Sequence, residues 1–219
     1  MLAETYTTMI KPMLEGAQTT VLVFFISIIV SIPLGFLLTL AANSSIKIVS
    51  WITHTFIYVM RGTPLLLQLL IICFGLPMIP GIGQYLVLDR LVAALLGFIL
   101  NYAAYFAEIF RGGLLSIDKG QYEASQVLGL NKWQTTTRII LPQMFRVVLP
   151  SMANETITLI KDTALLYAVA VPELLYYAQT VVNRDATIMP FFVALVIYLL
   201  MILVLTLFFK WLERRFKYE

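Results

Sequence analysis

Polar side chains interrupt two of the long apolar stretches in this 219-residue sequence. Asn101 and Tyr105 are four residues apart in the first stretch, which places them on one face of a helix. Glu155 and Asp162 are seven residues apart in the second stretch and also share a face, with Lys161 on the adjoining face. The two carboxylates can pair with an ammonium group of a ligand, and the Lys161 ammonium can pair with a carboxylate of the ligand. The Asn101 amide can both donate and accept hydrogen bonds. The set therefore suits a small ligand that carries charges of both signs.

The cost of burying charge limits where these side chains can face. A charge at the centre of a membrane span costs about 2.5–3.5 kcal/mol on insertion scales, so three on one span cost roughly 7.5–10.5 kcal/mol if nothing compensates them. Their partners must come from other helices, from water or from a ligand. Two interpretations stay open at this point: a structural network of ion pairs that joins helices, and a ligand site within the membrane.

Composition excludes several classes of protein. Hydrophobic residues make up 60% of the chain and charged residues only 12%, against about 25% charged residues in a soluble domain. This rules out a disordered chain, a nucleic-acid-binding domain and a disulfide-stapled secreted domain. One histidine (His54) and one cysteine (Cys73) also exclude a zinc cage of His and Cys ligands from this chain alone.

Five apolar runs are each long enough for a membrane-spanning helix, which needs about 20 residues. Stretches within them, such as residues 65–72 and 195–207, are almost continuously apolar, whereas barrel strands alternate apolar and polar residues. The sequence predicts an all-α integral membrane protein with five transmembrane helices, folded as a single domain over residues 1–219. The runs cover residues 17–42, 51–83, 91–110, 147–171 and 188–209.

Two segments between or within these runs need separate interpretation. The second run is interrupted at residues 61–64, Arg-Gly-Thr-Pro, and a proline disfavours helix at the residue before it. Residues 51–60 are therefore either a separate helix at the membrane interface or the first part of one kinked helix. Residues 173–187 are expected to form a polar loop.

The distribution of Lys and Arg predicts the orientation. With five spans and the N-terminus outside, cytoplasmic segments hold eleven basic residues and external segments hold three, Lys11, Arg90 and Arg184. Basic residues are enriched on the cytoplasmic side, so the N-terminus is expected outside and the C-terminus in the cytoplasm. The basic tail, with Trp211 and Phe216, is typical of an anchor to the inner leaflet.

The long cytoplasmic segment at about residues 112–145 carries a helical pattern. Glu123, Ala124 and Ser125 are expected to open a short helix that ends near Leu130, with Gly129 at the reversal because glycine is the common residue there. Asn131 is expected to cap a second helix, which Pro142 would break before the fourth span.

This segment and three others resemble the permease subunits of bacterial ABC importers for polar amino acids. The signature of those subunits is EAA-x3-G-x9-I-x-LP, and Ser125 stands here for its second alanine. Further stretches similar to this family are residues 61–65, 101–113 and 161–165 followed by Glu-Leu at 173–174. The signature residues present are Glu123, Ala124, Gly129, Ile139, Leu141 and Pro142.

The resemblance implies how such a chain works and with what partners. The 123–130 helix would dock on a cytoplasmic ABC ATPase dimer, which binds ATP and Mg²⁺; this chain has no GxxxxGK[ST] loop and is not expected to be an enzyme. Other implied partners are a second permease, identical or homologous, and an extracytoplasmic binding protein or domain. The chain would be a multi-pass protein of the bacterial cell membrane.

The resemblance also favours a polar amino acid as the ligand of the intramembrane side chains. Lys161 would balance its carboxylate and Glu155 or Asp162 its ammonium, with Asn101 and Tyr105 on the facing span, although Lys161 fits a structural counter-ion equally well. Glu108, near the inner end of its span, is interpreted as structural. The alternative function is a self-contained channel or secondary transporter. A membrane enzyme is disfavoured because the sequence offers no plausible catalytic cluster.

The charge asymmetry makes a prediction about accessibility in a Cys73→Ser background. Lys119→Cys and Lys217→Cys should resist an impermeant thiol reagent added to intact cells, because the bilayer shields them. Thr5→Cys and Asp185→Cys should be labelled. The reverse labelling pattern would contradict the orientation.

Overall fold

The computed structural model describes residues 6–216, which contain nine α-helices and no β-strand. Thr5 and Lys217, two of the labelling positions proposed above, lie outside the described residues. Short π-helical and 3₁₀ turns extend several of the helices. We number the α-helices in chain order: α1 Lys11–Ala42, α2 Lys47–Gly62, α3 Leu65–Leu70, α4 Arg90–Leu115, α5 Lys119–Val127, α6 Lys132–Thr135, α7 Leu141–Asp162, α8 Leu174–Asp185 and α9 Met189–Phe216.

The membrane-spanning candidates number three to five. Besides three long apolar helices, the described residues contain two pairs of helical segments, each bent at a short break: Lys47–Gly62 with Leu65–Met78, and Lys132–Val169 with Leu174–Asp185. If each bent pair crosses as one unit, the described residues hold five spans. The three long apolar helices are Thr7–Ala42, Arg90–Leu115 and Met189–Phe216.

The central contact of the bundle joins α1 to α4. Thr39 Oγ1 donates to the Ala107 carbonyl oxygen at 3.0 Å, and a Cβ atom at Gly35 would lie only 2.8 Å from the Ala103 carbonyl oxygen. Small residues allow membrane helices to approach closely where no hydrophobic force drives them together. The small or hydroxyl-bearing residues buried on α1 are Gly16, Thr20, Ser27, Ser31, Gly35, Thr39 and Ala42.

The interruption at residues 61–64 separates two helices. Thr63 and Pro64 both have extended backbone conformations, and the helical segments on either side meet at 107°. The two segments are therefore separate helices and not one kinked helix, whereas the expected position of residues 51–60 at the membrane interface stays a prediction. Ile57 of α2 is buried against Ala104 and Ala107 of α4, so α2 packs within the bundle.

The capping predictions in the 112–145 segment are confirmed. Gly129 has a φ of +73°, and the Leu130 amide donates to the Ser125 carbonyl at 3.0 Å, which is the Schellman ending of a helix. Asn131 and Gln134 then form a reciprocal capping box.

Two boundary predictions in the same segment are wrong. Helix α5 begins at Lys119, one turn before Glu123, because the Asp118 side chain accepts a hydrogen bond from the Gly120 amide and caps it. Pro142 does not break the second helix. It lies just inside α7, after a π-helical turn at Thr136–Ile140, and helical structure runs continuously over Lys132–Val169.

The expected polar loop at residues 173–187 is instead mostly helix α8. The Glu173 carboxylate caps it by accepting from the Leu175 and Tyr176 amides at 2.8 and 2.7 Å. Leu174 and Ala178 are buried against Met13 of α1. The polar residues of this segment form the exposed face of an amphipathic helix.

The two ends of the bundle are built from different parts of the chain. At one end the start of α7 meets the end of α9, where the Phe145 and Phe216 rings are 5.7 Å apart. At the other end Gly16, near the start of α1, lies against the backbone of Glu173. Segments 111–146 and 210–216, which are rich in Lys and Arg, therefore lie at the first of these two ends.

Candidate functional site

The two acids of α7 lie beside α4, and one of them, Asp162, is hydrogen-bonded to a tyrosine of α4. Tyr102, which is 1% exposed, donates its hydroxyl to Asp162 Oδ2 at 2.7 Å. Glu155 lies two helical turns earlier, about 10.5 Å along the axis, where it is half-buried and within electrostatic range of Asp162. The structure thus brings the two predicted acids to one side of α7, beside α4.

Lys161 does not join this group directly. Its side chain is exposed, and it forms no hydrogen bond or ion pair with any residue in the range 6–216. Its charge acts on the adjacent Asp162 only through space. The position is open to a partner outside this chain.

The Asn101 side chain forms hydrogen bonds with residues on both sides of the interruption at residues 61–64. We call the two helical segments that meet there, Lys47–Gly62 and Leu65–Met78, the broken span. Its side chain is 3% exposed, and Nδ2 donates to the Met60 carbonyl oxygen and to Gln68 Oε1, each at 3.0 Å. Gln68 Nε2 donates in turn to Met60 and Thr63. The amide pair therefore satisfies backbone groups that the interruption between α2 and α3 leaves without helical partners.

Tyr105 and Glu108 lie beside Arg61, the basic residue at the interruption. The Arg61 guanidinium lies over the Tyr105 ring at 5.5 Å and 3.3 Å from Glu108. Glu108 also pairs with Arg111 at 2.8 Å, which agrees with the structural role expected for it. Arg61 is also within electrostatic range of Glu155.

The result is one polar cluster around the broken span, which we call the midspan cluster: Asn101, Tyr102, Tyr105, Arg61, Glu155 and Asp162. It offers two carboxylates for a positive group and a guanidinium for a negative one. Sequence reasoning does not single out Tyr102 and Gln68. Both are hydrogen-bonding residues inside apolar runs, which is the one signal the sequence offers, but their partners lie 60 and 33 residues away.

A second candidate surface lies at the tip of α5, remote from the midspan cluster. Val127 is 87% exposed and Leu128 is 74% exposed, and nearby Trp133 is 76% exposed. Exposed apolar groups on a polar segment mark an interaction site. Among the predicted coupling residues, Glu123 and Ala124 are exposed, whereas Ser125 is 1% exposed.

Ser125, Gly129 and Leu130 shape this tip from within. The Ser125 hydroxyl donates to the Gln121 carbonyl at 2.6 Å, and its own carbonyl accepts the Leu130 amide. Gly129 supplies the left-handed backbone that turns the chain. These three residues hold the geometry, and the exposed side chains around them are available for contact.

Known proteins resemble this chain over nearly its full length. Residues 31–218 match the family described as the inner membrane component of binding-protein-dependent transport systems. The arginine transport system permease protein ArtQ of Bacillus subtilis is 36% identical over 93% of this chain and 92% of its own. The glutamine permease protein GlnP of Escherichia coli is 36% identical over 94% and 93% of the two chains.

Solved structures share the fold. One, described as the crystal structure of an amino acid ABC transporter with histidines, superposes with a TM-score of 0.86 at 28% identity, over 98% of this chain and 97% of that one. An inward-facing MetNI methionine ABC transporter superposes with a TM-score of 0.70 at 17% identity, over 98% of both chains, which supports the fold.

Members of this family are multi-pass membrane subunits, and ATP hydrolysis belongs to a separate subunit. The chain therefore belongs to the inner membrane components of binding-protein-dependent transport systems, as a permease of the polar amino acid ABC type.

Proposed function

We propose that this chain forms part of the translocation path of an ATP-driven importer of polar amino acids, and that the midspan cluster contacts the substrate. The observation that carries this proposal is that Asp162 accepts a hydrogen bond from Tyr102 of α4, while Glu155 lies within electrostatic range of Arg61 at the interruption of the broken span. Discontinuous helices of membrane transporters place substrate sites at the bilayer midplane. The names of relatives, which include arginine, glutamine and cystine systems, support a polar amino acid.

The arrangement of the chain in the membrane is part of the proposal. Five spans, each bent pair counted as one, would place the two termini on opposite sides of the membrane, and we assign the N-terminus to the outside and the C-terminus to the cytoplasm. The positive-inside rule supports this, since the bundle end built from the start of α7 and the end of α9 carries most of the basic residues.

Substrate contacts within the midspan cluster follow from charge. Glu155 and Asp162 would receive the ammonium group, and Tyr102 would keep Asp162 oriented through its 2.7 Å hydrogen bond. Arg61 or the exposed Lys161 would receive the carboxylate. Tyr105 would present a ring edge and hydroxyl beside Arg61. Asn101, with its amide nitrogen engaged within the chain, would offer its carbonyl oxygen only.

Coupling to ATP hydrolysis would pass through α5. Its exposed apolar tip would insert into a partner ATPase dimer, which binds ATP and Mg²⁺. A short helix fixed by caps at both ends moves as a rigid body, and Gln143 of α7 donates to Gln121 of α5 at 3.1 Å. Motion of the ATPase would thereby reach α7, which carries the acids. A second permease, identical or homologous, and an extracytoplasmic binding protein or domain complete the proposed complex.

Replacement of Gly129 tests the coupling role. Gly129→Val should weaken copurification of the ATPase about 5- to 30-fold, because a left-handed backbone costs a side-chain-bearing residue about 1–2 kcal/mol or more. The matched control is Gly112→Val, at a helical position where a Cβ atom meets nothing within 4 Å. Quantitative mass spectrometry of the affinity-purified complex measures the ratio. Unchanged copurification and unchanged transport in Gly129→Val would remove α5 from the coupling path.

Replacement of the acids tests the substrate role. Glu155→Gln and Asp162→Asn should lower transport about tenfold or more, because hydrogen bonds to charged groups contribute about 1.5–3 kcal/mol. Assembly and basal ATP hydrolysis in proteoliposomes should stay near wild type, while hydrolysis stimulated by substrate falls. Glu15→Gln, at an exposed acid on α1, serves as the control.

The two interpretations of the acids give different outcomes in this experiment. If the acids belong only to a structural network, removal of one partner destabilises the protein by about 3–5 kcal/mol, and the variants should be lost from the membrane. Variants that are present, assembled and fully active in transport would contradict the substrate role.

A further inference from the structure

A cavity of about 810 Å³ opens between three segments at the bundle end that carries the basic residues. Its walls come from the start of α7, the end of α9, the connection at residues 116–118 and the first turn of α5. Three basic side chains line it: Arg146, Lys210 and Arg214. The volume is in the range of small-molecule sites, about 300–1,000 Å³, and the cavity lies outside the midspan cluster.

The two cations that α9 contributes are not balanced within the described chain. Lys210 and Arg214 are one helical turn apart, and neither forms a hydrogen bond or ion pair with any residue between 6 and 216. Two acids also line the cavity, Asp118 and Glu213. Asp118 is used in capping α5, and Glu213 contacts neither cation as an ion pair. An anion from outside the chain fits here.

The surroundings indicate which kind of anion. Val147 and Pro150 form an apolar wall on the α7 side, and Phe216 closes the cavity while its ring packs on Phe145. Trp211, 54% exposed, lies on the same turn of α9. Tryptophan is enriched at the level of the headgroups, so Trp211 beside the basic residues marks the boundary between headgroups and acyl chains. The site therefore offers cations for a phosphate and apolar surface for hydrocarbon at one level.

The geometry points to a binding site for an anionic phospholipid of the cytoplasmic leaflet. The phosphate lies among Arg146, Lys210 and Arg214, and an acyl chain runs along Val147 and Pro150. Basic pockets between membrane helices bind anionic headgroups in this way. The assignment rests on the orientation proposed above, which puts this end of the bundle in the cytoplasm.

A bound lipid would have a mechanical consequence. The cavity includes Gln121 and Gln143, whose hydrogen bond joins α5 to α7. A phospholipid in the cavity stiffens this junction, so anionic lipid is expected to raise the fraction of ATP hydrolysis that responds to substrate.

Native mass spectrometry of the purified full chain tests the site. Dioleoyl phosphatidylglycerol should bind more tightly than dioleoyl phosphatidylcholine. Lys210→Gln with Arg214→Gln should weaken phosphatidylglycerol binding about 25-fold, since each basic residue near an anionic lipid contributes a factor of about five. The matched control, Arg138→Gln with Arg215→Gln, removes two exposed charges outside the cavity and should change binding less than about twofold.

Two more measurements address misfolding and binding of free phosphate. The exchange Lys210→Arg with Arg214→Lys keeps both charges and should keep binding, which guards against a loss caused by misfolding. Inorganic phosphate should not displace the lipid; displacement at equal concentration would overturn the lipid assignment. Equal binding of the two lipids, or unchanged binding in the Gln variant, would also overturn it.

The ATPase is the remaining candidate for this surface. If the Gln variant loses the ATPase while phosphatidylglycerol binding is unchanged, the cavity is a protein contact and the proposal fails. Because lipid binding is measured on the permease alone, failure of the coupling or substrate roles would leave this result unaffected.

Discussion

A chain that interrupts a helix inside a bilayer must find partners within the protein for the peptide groups it frees, because lipid offers none. Here the side-chain amides of Gln68 and Asn101 supply these partners. Gln68 Nε2 donates to the Met60 carbonyl at 2.9 Å and to both oxygens of Thr63, and Asn101 of α4 donates to Met60 and to Gln68. This pair ties both halves of the broken span to the central helix.

The position of the midspan cluster follows from that tie. With the end of α2 held against α4, Arg61 lies over Tyr105 and beside Glu108. Tyr102, the next residue after Asn101, has its ring 6.3 Å from that of Tyr105 and donates a hydrogen bond to Asp162 of α7. Helix α4 thus joins the broken span to the acids of α7, and its close packing on α1 at Gly35 fixes its position.

Local features of the structure can be predicted from the sequence, whereas contacts between distant segments cannot. The capping roles of Gly129 and Asn131 depend on a few neighbouring residues, so their types and spacing suffice. Helix α8 is not predicted because its burial depends on Met13, some 160 positions earlier in the chain, and because its capping acid, Glu173, is held in place by Tyr198 of α9. The shared face of the two acids on α7 follows from their spacing alone.

The same limit applies to the site. Asn101 is a reasonable ligand contact from the sequence because an amide in a span needs a partner, but the sequence does not reveal that Gln68 and the Met60 carbonyl supply one. The role of Tyr102 is likewise hidden, since its partner lies on another helix. The exposed tip of α5 is the reverse case: its apolar side chains stand out in a polar segment and are open to contact from outside the chain.

A double-mutant cycle on the amide pair tests most directly whether this tie holds the broken span. Asn101→Leu and Gln68→Met keep side-chain volume and remove the hydrogen bonds, and unfolding of the purified full chain in mixed micelles gives the free energies. Each single change should cost about 1–3 kcal/mol. The double variant should cost less than their sum by about 0.5–3 kcal/mol, because the second change removes a group already without a partner. Costs that add to within about 0.3–0.5 kcal/mol would contradict a coupled pair, and with it the view that this tie positions the site.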